Sequence, residues 1–208
     1  MIDSKTVTPR HHGKEAPAVV SPDVGSQLLF GAKIISVQEY CIIVTWQNVA
    51  IIVWRYQTRV EDVRLASDAL HMFSKENPQG VGLVQIIDDR GEMVSLTADA
   101  RAAIAKLLDR GRQSIKCSTI VFAGEGFRAS AVRGIVTGIA WLTRPGFPHQ
   151  VFARTSDAVT LQATYFAPRG SEKKWSDLLM EVIRRAIKLS PATEGTSGRS
   201  PLDASARL

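Results

Sequence analysis

STIVFAGEGFRASAVRGIVTGIAWL, residues Ser118 to Leu142, reads as a buried strand, a glycine turn at Gly124-Glu125-Gly126 and a helix opening near Phe127. On that helix Phe127, Ala131, Ile135 and Ile139 form one row at helical spacing, and Gly134 and Gly138 allow a close approach to a sheet. A strand followed by a tight turn and an apolar-faced helix is the repeating unit of layered α/β domains. The rest of the chain extends that unit in both directions.

Upstream, Tyr40 to Trp46 and Val49 to Trp54 are β-branched and aromatic runs separated by Gln47-Asn48, a two-residue hairpin signal. Both runs are apolar at nearly every position, which predicts a sheet covered on both faces. Thr58-Arg-Val-Glu61 has capping-box spacing ahead of a helix with Val63, Ala66, Leu70 and Phe73 on one stripe. Val81 to Ile87 is the next strand, and Asp88-Asp89-Arg90-Gly91 reads as a turn. Thr97 can cap a helix with Ala100, Ala103, Ile104, Leu107 and Leu108 inward, closed by Gly111. Downstream, Gln150 to Ala153 is a short strand, and Thr155 can cap a helix through Ala158, Leu161 and Tyr165.

The final element runs from a Ser171 cap to Leu189. Trp175, Leu178, Leu179, Val182, Ile183, Ala186 and Ile187 recur at i, i+3, i+4, i+7 and onward, a clean amphipathic helix. The expected fold is therefore α/β, a mixed sheet of about five strands flanked by helices, with this amphipathic helix appended. Residues 1–30 read as a disordered leader, 31–167 as the α/β domain, 171–189 as the C-terminal helix and 190–208 as a disordered tail.

The chain has 208 residues, 45% hydrophobic and 22% charged, enough to bury one ordinary core. The net charge of +6 falls on the folded part, because the acids and bases of the leader and of the tail cancel. The positive residues are scattered, with Lys173-Lys174 and Arg184-Arg185 as pairs and no stripe with interleaved aromatics, so nucleic acid is not an expected partner. Cys41 and Cys117 both lie inside apolar runs, which suits a reducing compartment. The first residues have no apolar export signal, and the run from Cys41 to Trp54 is too short for a membrane helix, so a cytoplasmic location and no integral membrane role are expected.

Gly124-Glu-Gly-Phe-Arg-Ala129 matches G-x-G-x-x-A between a strand and a helix. Against a dinucleotide site stand its late position in the chain, the negative charge of Glu125 in the turn, and the missing acid about 20 residues on. Gly124 and Gly126 then serve as the corner of the turn. Arg128 and Arg133 lie in the first turns of the helix, where the macrodipole disfavours cations. They either await an anion, a phosphate or a partner's carboxylate, or lie in solvent beside Glu125. His11-His12 gives no metal site, and His71 and His149 are isolated. No serine sits in a G-x-S-x-G elbow. Catalytic residues, metal ligands and cofactors are all expected to be none.

With the strand-GEGF-helix unit and the stretch VFARTSDAV at 151–159 in view, the order of elements resembles the STAS fold. That is the fold of sulfate-transporter cytosolic domains and anti-sigma-factor antagonists, and more narrowly of SpoIIAA-like domains. The likeness spans Ile34 to Phe166. In the antagonists a D-S-S-G turn after the strand that follows the first helix carries a phosphorylated serine. The matching place here, DDRGEMVSLT from Asp88 to Thr97, lacks that motif, and Ser95 and Thr97 are its nearest hydroxyls. The resemblance implies a non-enzymatic cytoplasmic interaction or signalling module. A protein partner or self-association is expected, with Trp175, Leu178, Leu179, Val182 and Ile183 as a candidate partner helix. Docking of that helix on its own sheet is the rival. A small-molecule or lipid-binding domain is the alternative function, and a nucleotide-binding enzyme built on the Gly124 turn is the third.

Overall fold

The computed structural model describes residues 31–55, 58–88, 97–122 and 145–189, with Gly134 besides. The hairpin is its centre. Strands β2 (Cys41–Trp46) and β3 (Val49–Arg55) pair antiparallel from Cys41↔Trp54 to Trp46↔Val49, and every residue of both is buried. Of the two turn residues it is Gln47, not Asn48, that takes a left-handed φ of 48°. Its side-chain oxygen accepts a 2.7 Å hydrogen bond from the Trp175 indole, which ties this turn to the far end of the chain.

A strand that the sequence reading did not count precedes the hairpin. β1 (Lys33–Val37) pairs antiparallel with β2, with a bulge between Ile34 and Ser36. Among the described residues the sheet therefore has six strands rather than about five, in the order β1-β2-β3-β4-β5-β6. After β3 come α1 (Val60–Glu76), β4 (Val81–Asp88), α2 (Ala98–Arg110), β5 (Ile115–Phe122) and β6 (His149–Phe152). β3, β4, β5 and β6 are parallel neighbours, and α1 and α2 make the crossovers from β3 to β4 and from β4 to β5. Two further helices follow, α3 (Thr155–Phe166) and α4 (Glu172–Lys188).

The helix starts correct two of the expected caps. Thr97 caps α2 as expected, its hydroxyl accepting from the Ala100 amide at 3.2 Å. The box at Thr58-Glu61 does not form: Arg59 is the N-cap of α1, without a side-chain cap bond, and Thr58 is buried one residue earlier. Thr155 likewise is the first helical residue of α3, and Arg154 is its N-cap. Both helices use one substitute. The N-cap arginine pairs with an aspartate three residues on, Arg59 with Asp62 at 2.8 Å and Arg154 with Asp157 at 3.0 Å. The acid then lies in the first turn, where the macrodipole favours it, and it holds the arginine that the dipole would repel. Arg59 also sits over the Tyr40 ring, 4.3 Å from its centroid. Ser171 is the N-cap of α4, but its hydroxyl accepts no capping hydrogen bond. Glu172 instead accepts from the Gly170 amide at 3.1 Å. Gly111 closes α2 at a right-handed φ of −77°, so its freedom to turn left is not used there.

Alternation along the strands divides the interior in two. Cys41, Ile43, Ala50, Ile52, Trp54 and Leu83 meet Val63, Ala66 and Leu70 of α1 and Leu107 and Leu108 of α2. Ile42, Val44, Trp46, Ile51, Val53, Val84 and Ile86 meet Ala158, Val159 and Ala163 of α3 and Trp175, Leu179, Val182, Ile183 and Ala186 of α4. The face of α3 is rotated from the expected one. Ala158, Val159, Gln162 and Ala163 are inward, and Tyr165 is 46% exposed.

α3 comes close to the sheet at Gly82, where a β-carbon would lie 2.2 Å from the Gln162 Oε1 and 2.7 Å from a Phe166 ring carbon. Gln162 is fully buried, and its amide nitrogen donates to the Leu83 carbonyl at 3.1 Å and to the Thr119 hydroxyl at 3.3 Å. Gly82→Ala is expected to displace that amide and to destabilise the fold by about 1–3 kcal/mol. Urea denaturation of the two proteins checks this, and equal midpoints would show that α3 does not seat as described.

Candidate functional site

Parallel strands end on a common edge, and in open α/β sheets ligands gather outside the carboxyl ends. Here that edge is marked by the register pairs Arg55↔Asp88, Ile87↔Phe122 and Val121↔Phe152. Arg55 is 4% exposed. Its Nη2 donates to the Ile187 carbonyl at 2.6 Å and to the Leu189 carbonyl at 2.7 Å, and its Nε stands 3.6 Å from the Asp88 carboxylate. The two carbonyls are at the C-terminus of α4, which needs donors and favours a cation. A guanidinium this deep requires such partners, since a buried charge without them is costly. Asp88, expected in a turn, is the last residue of β4 and one of those partners.

Several candidates from the sequence fall elsewhere. Gly124, Glu125, Gly126, Arg128, Arg133 and Ser95 lie outside the described residues. The strand expected before the glycine turn is present as β5, which ends at Phe122. Thr97 has its hydroxyl oxygen engaged by the cap of α2. Trp175, Leu179, Val182 and Ile183 are buried in the chain's own core, with Leu178 partly buried against it. The Trp175 ring packs at 5.2 Å on Trp46, tilted by 51°. That apolar face is occupied by the sheet and is not left for another molecule.

The interior also holds polar groups to which the sequence assigns no role. Trp54 donates to the Gln85 side chain at 3.1 Å on the α1–α2 side. Ser118 and His149 face each other in the β5–β6 register, and the Ser118 Oγ and His149 Nδ1 are buried without a hydrogen-bond partner. Burial holds the His149 imidazole below the usual histidine value. Burial also raises both free thiols, Cys117 to about 11 and Cys41 further, so neither is a thiolate nucleophile at neutral pH. Among the described residues no group of three or more His, Cys, Asp or Glu could hold a metal ion. Among the same residues no helix is long and apolar enough to cross a membrane.

A second feature lies on the opposite layer. α1 and α2 enclose an open groove of about 900 Å³ lined by Glu61, Arg64, Asp68, Asp99, Lys106 and Arg110 among others. One ion pair, Arg110 to Asp68 at 2.7 Å, crosses between the two helices there. Exposed charges of both signs in a concave surface suit a polar, patterned partner better than an apolar small ligand. Nothing in the sequence signals this groove, because solvent-facing charges on two helices do not reveal that the helices are neighbours.

Two outcomes follow from the buried groups. Arg55→Met should strand Asp88 and the carbonyls of Ile187 and Leu189, and lower stability by about 3–5 kcal/mol. Arg55→Lys should recover little of it, since one ammonium cannot reproduce the fork. Hydrogen exchange of the last turn of α4 should rise in both variants; unchanged protection would mean that the clamp is not what holds that turn. For His149 the folded state prefers the neutral ring, so the unfolded chain binds the proton more readily. Stability is then full above the ordinary histidine value of about 6.5 and declines as pH falls through and below it. Melting temperatures measured from about pH 7.5 to 5 should fall less steeply in His149→Gln, and parallel curves would remove His149 as the cause.

A scan against protein-family models finds no matching model, and searches of curated proteins and of solved structures find no match either, so what the chain does must be read from its own geometry.

Proposed function

We propose that this chain is a non-enzymatic interaction or signalling module with a STAS-like core, and that a protein partner binds in the groove between α1 and α2. The observation that carries this reading is the groove itself, about 900 Å³, open and lined by charges of both signs on two rigid helices. A polar rim of fixed charges discriminates between partners and sets the register of docking. The apolar face of α4 is not the contact, because it is spent on the chain's own sheet. The STAS-like assignment draws on the hairpin followed by alternating helices and parallel strands, and on the way VFARTSDAV forms the junction from β6 to α3. Supporting a binding rather than a catalytic role, the buried Arg55 and Asp88 are committed to holding α4, and both thiols are held protonated. Two free thiols also fit a reducing compartment, and the cytoplasm is the compartment proposed.

The test is a charge reversal. Arg64→Glu combined with Lys106→Glu changes the groove while leaving the core intact. Cross-linking capture from native lysate should recover a partner with the wild-type protein and about tenfold less with the variant, at unchanged melting temperature. Equal capture by both proteins would place the contact elsewhere. No capture by the wild type would speak against a stable protein partner.

A further inference from the structure

Ile35, Met72 and Tyr165 are the large hydrophobic side chains exposed among the described residues, at 45%, 57% and 46%. Ile35 and Met72 come from elements far apart in sequence, yet they line one open groove of about 500 Å³ beside α1 at the β1 end of the sheet. Leu65, Ala69 and Phe73 line the same groove. The bulge in β1 explains the exposure. Ile34 pairs with Val44 and Ser36 with Ile43, so Ile35 is the extra residue, without a register partner. A bulge of this kind re-aims a side chain, and this one turns an isoleucine out beside Met72.

Charge supplies the second observation. Lys33 on β1 and Glu76 on α1 line the groove, and neither makes an ion pair among the described residues. An apolar centre flanked by one unpaired cation and one unpaired anion is complementary to itself under two-fold rotation, which sets the lysine of each copy against the glutamate of the other. We propose that this surface is the contact of a two-fold dimer of the chain, with Ile35 and Met72 at its centre and two Lys33–Glu76 pairs at its rim. The contact is made by side chains rather than by joining the sheets. A lysine and a bulge on a short edge strand are the features that block edge-to-edge pairing. This surface adjoins the α1–α2 groove, with Asp68 lining both, but its assignment does not depend on that groove.

Sedimentation equilibrium of the full chain over a wide concentration range tests the proposal. A reversible monomer–dimer equilibrium is expected, weakened about tenfold or more by Met72→Lys at the apolar centre. Lys33→Glu and Glu76→Lys should each weaken it, and the two together should restore it, because the pairs reform with their signs exchanged. Tyr165→Lys, outside the groove, should change nothing. A wild-type chain that stays monomeric throughout overturns the proposal. If Met72 of that monomer also resists peroxide oxidation, a segment of the same chain covers the groove instead. A dimer that ignores both Met72→Lys and the charge reversals places the contact elsewhere and equally overturns it.

Discussion

A hairpin that is apolar on both faces constrains everything around it. Every residue of β2 and β3 is buried, and all but Thr45 and Arg55 are apolar, so each face of the sheet needs its own cover. Right-handed crossovers between strands added in sequence keep their helices on one side of a sheet. α1 and α2, which connect successive parallel strands, lie together on one face. On the opposite face the described cover is chain that follows the last strand, α3 and α4. The appended amphipathic helix is thus required by the hairpin that begins the fold. Trp46 and Gln47, at the hairpin's turn, meet Trp175 directly.

The polar groups inside the sheet serve the same closure. Gln162 hydrogen-bonds across β4 and β5 where Gly82 lets α3 sit close. Arg55 binds the last carbonyls of α4 at the other end. Both groups have a donor aimed at backbone or hydroxyl oxygen, which offsets the cost of burying it. They act as fixed points for two helices whose apolar faces alone would tolerate sliding.

How much of this was legible depends on whether the signal was local. The hairpin, the Thr97 cap and the face of α4 were readable, because the first rests on residue type and spacing, the second on one hydroxyl beside a helix, and the third on a long unbroken period. β1 was missed because Lys33-Ile-Ile-Ser-Val37 is short and its bulge breaks the alternation that marks a strand. Thr58 and Thr155 have the right chemistry one residue away from the right backbone, and the Arg-x-x-Asp pairs that replaced them depend on side-chain reach. Gln162 was hidden because its burial is decided by Gly82, far away in sequence. The candidate surfaces were the least legible part. The α1–α2 groove and the Ile35–Met72 patch exist only once distant segments are side by side, and the glycine turn that stood out in the sequence lies outside the described residues.

The clamp of Arg55 on Leu189 fixes where the last described residue lies. Leu189 is held at the carboxyl end of β3, whereas Lys33 pairs with Thr45 beside the turn that leads into the amino end of the same strand. The entry and exit points of the described domain are therefore separated by the length of β3, seven residues or about 23 Å. Copies cut to 31–189 and joined directly end to end would string out along the strand direction rather than fold back on one another. A circular permutant joining 31 to 189 would need a linker able to cross that distance. A label or fused domain placed after 189 would stand over the carboxyl edge of the sheet, and one placed before 31 would stand at the other end, beside the exposed Ile35.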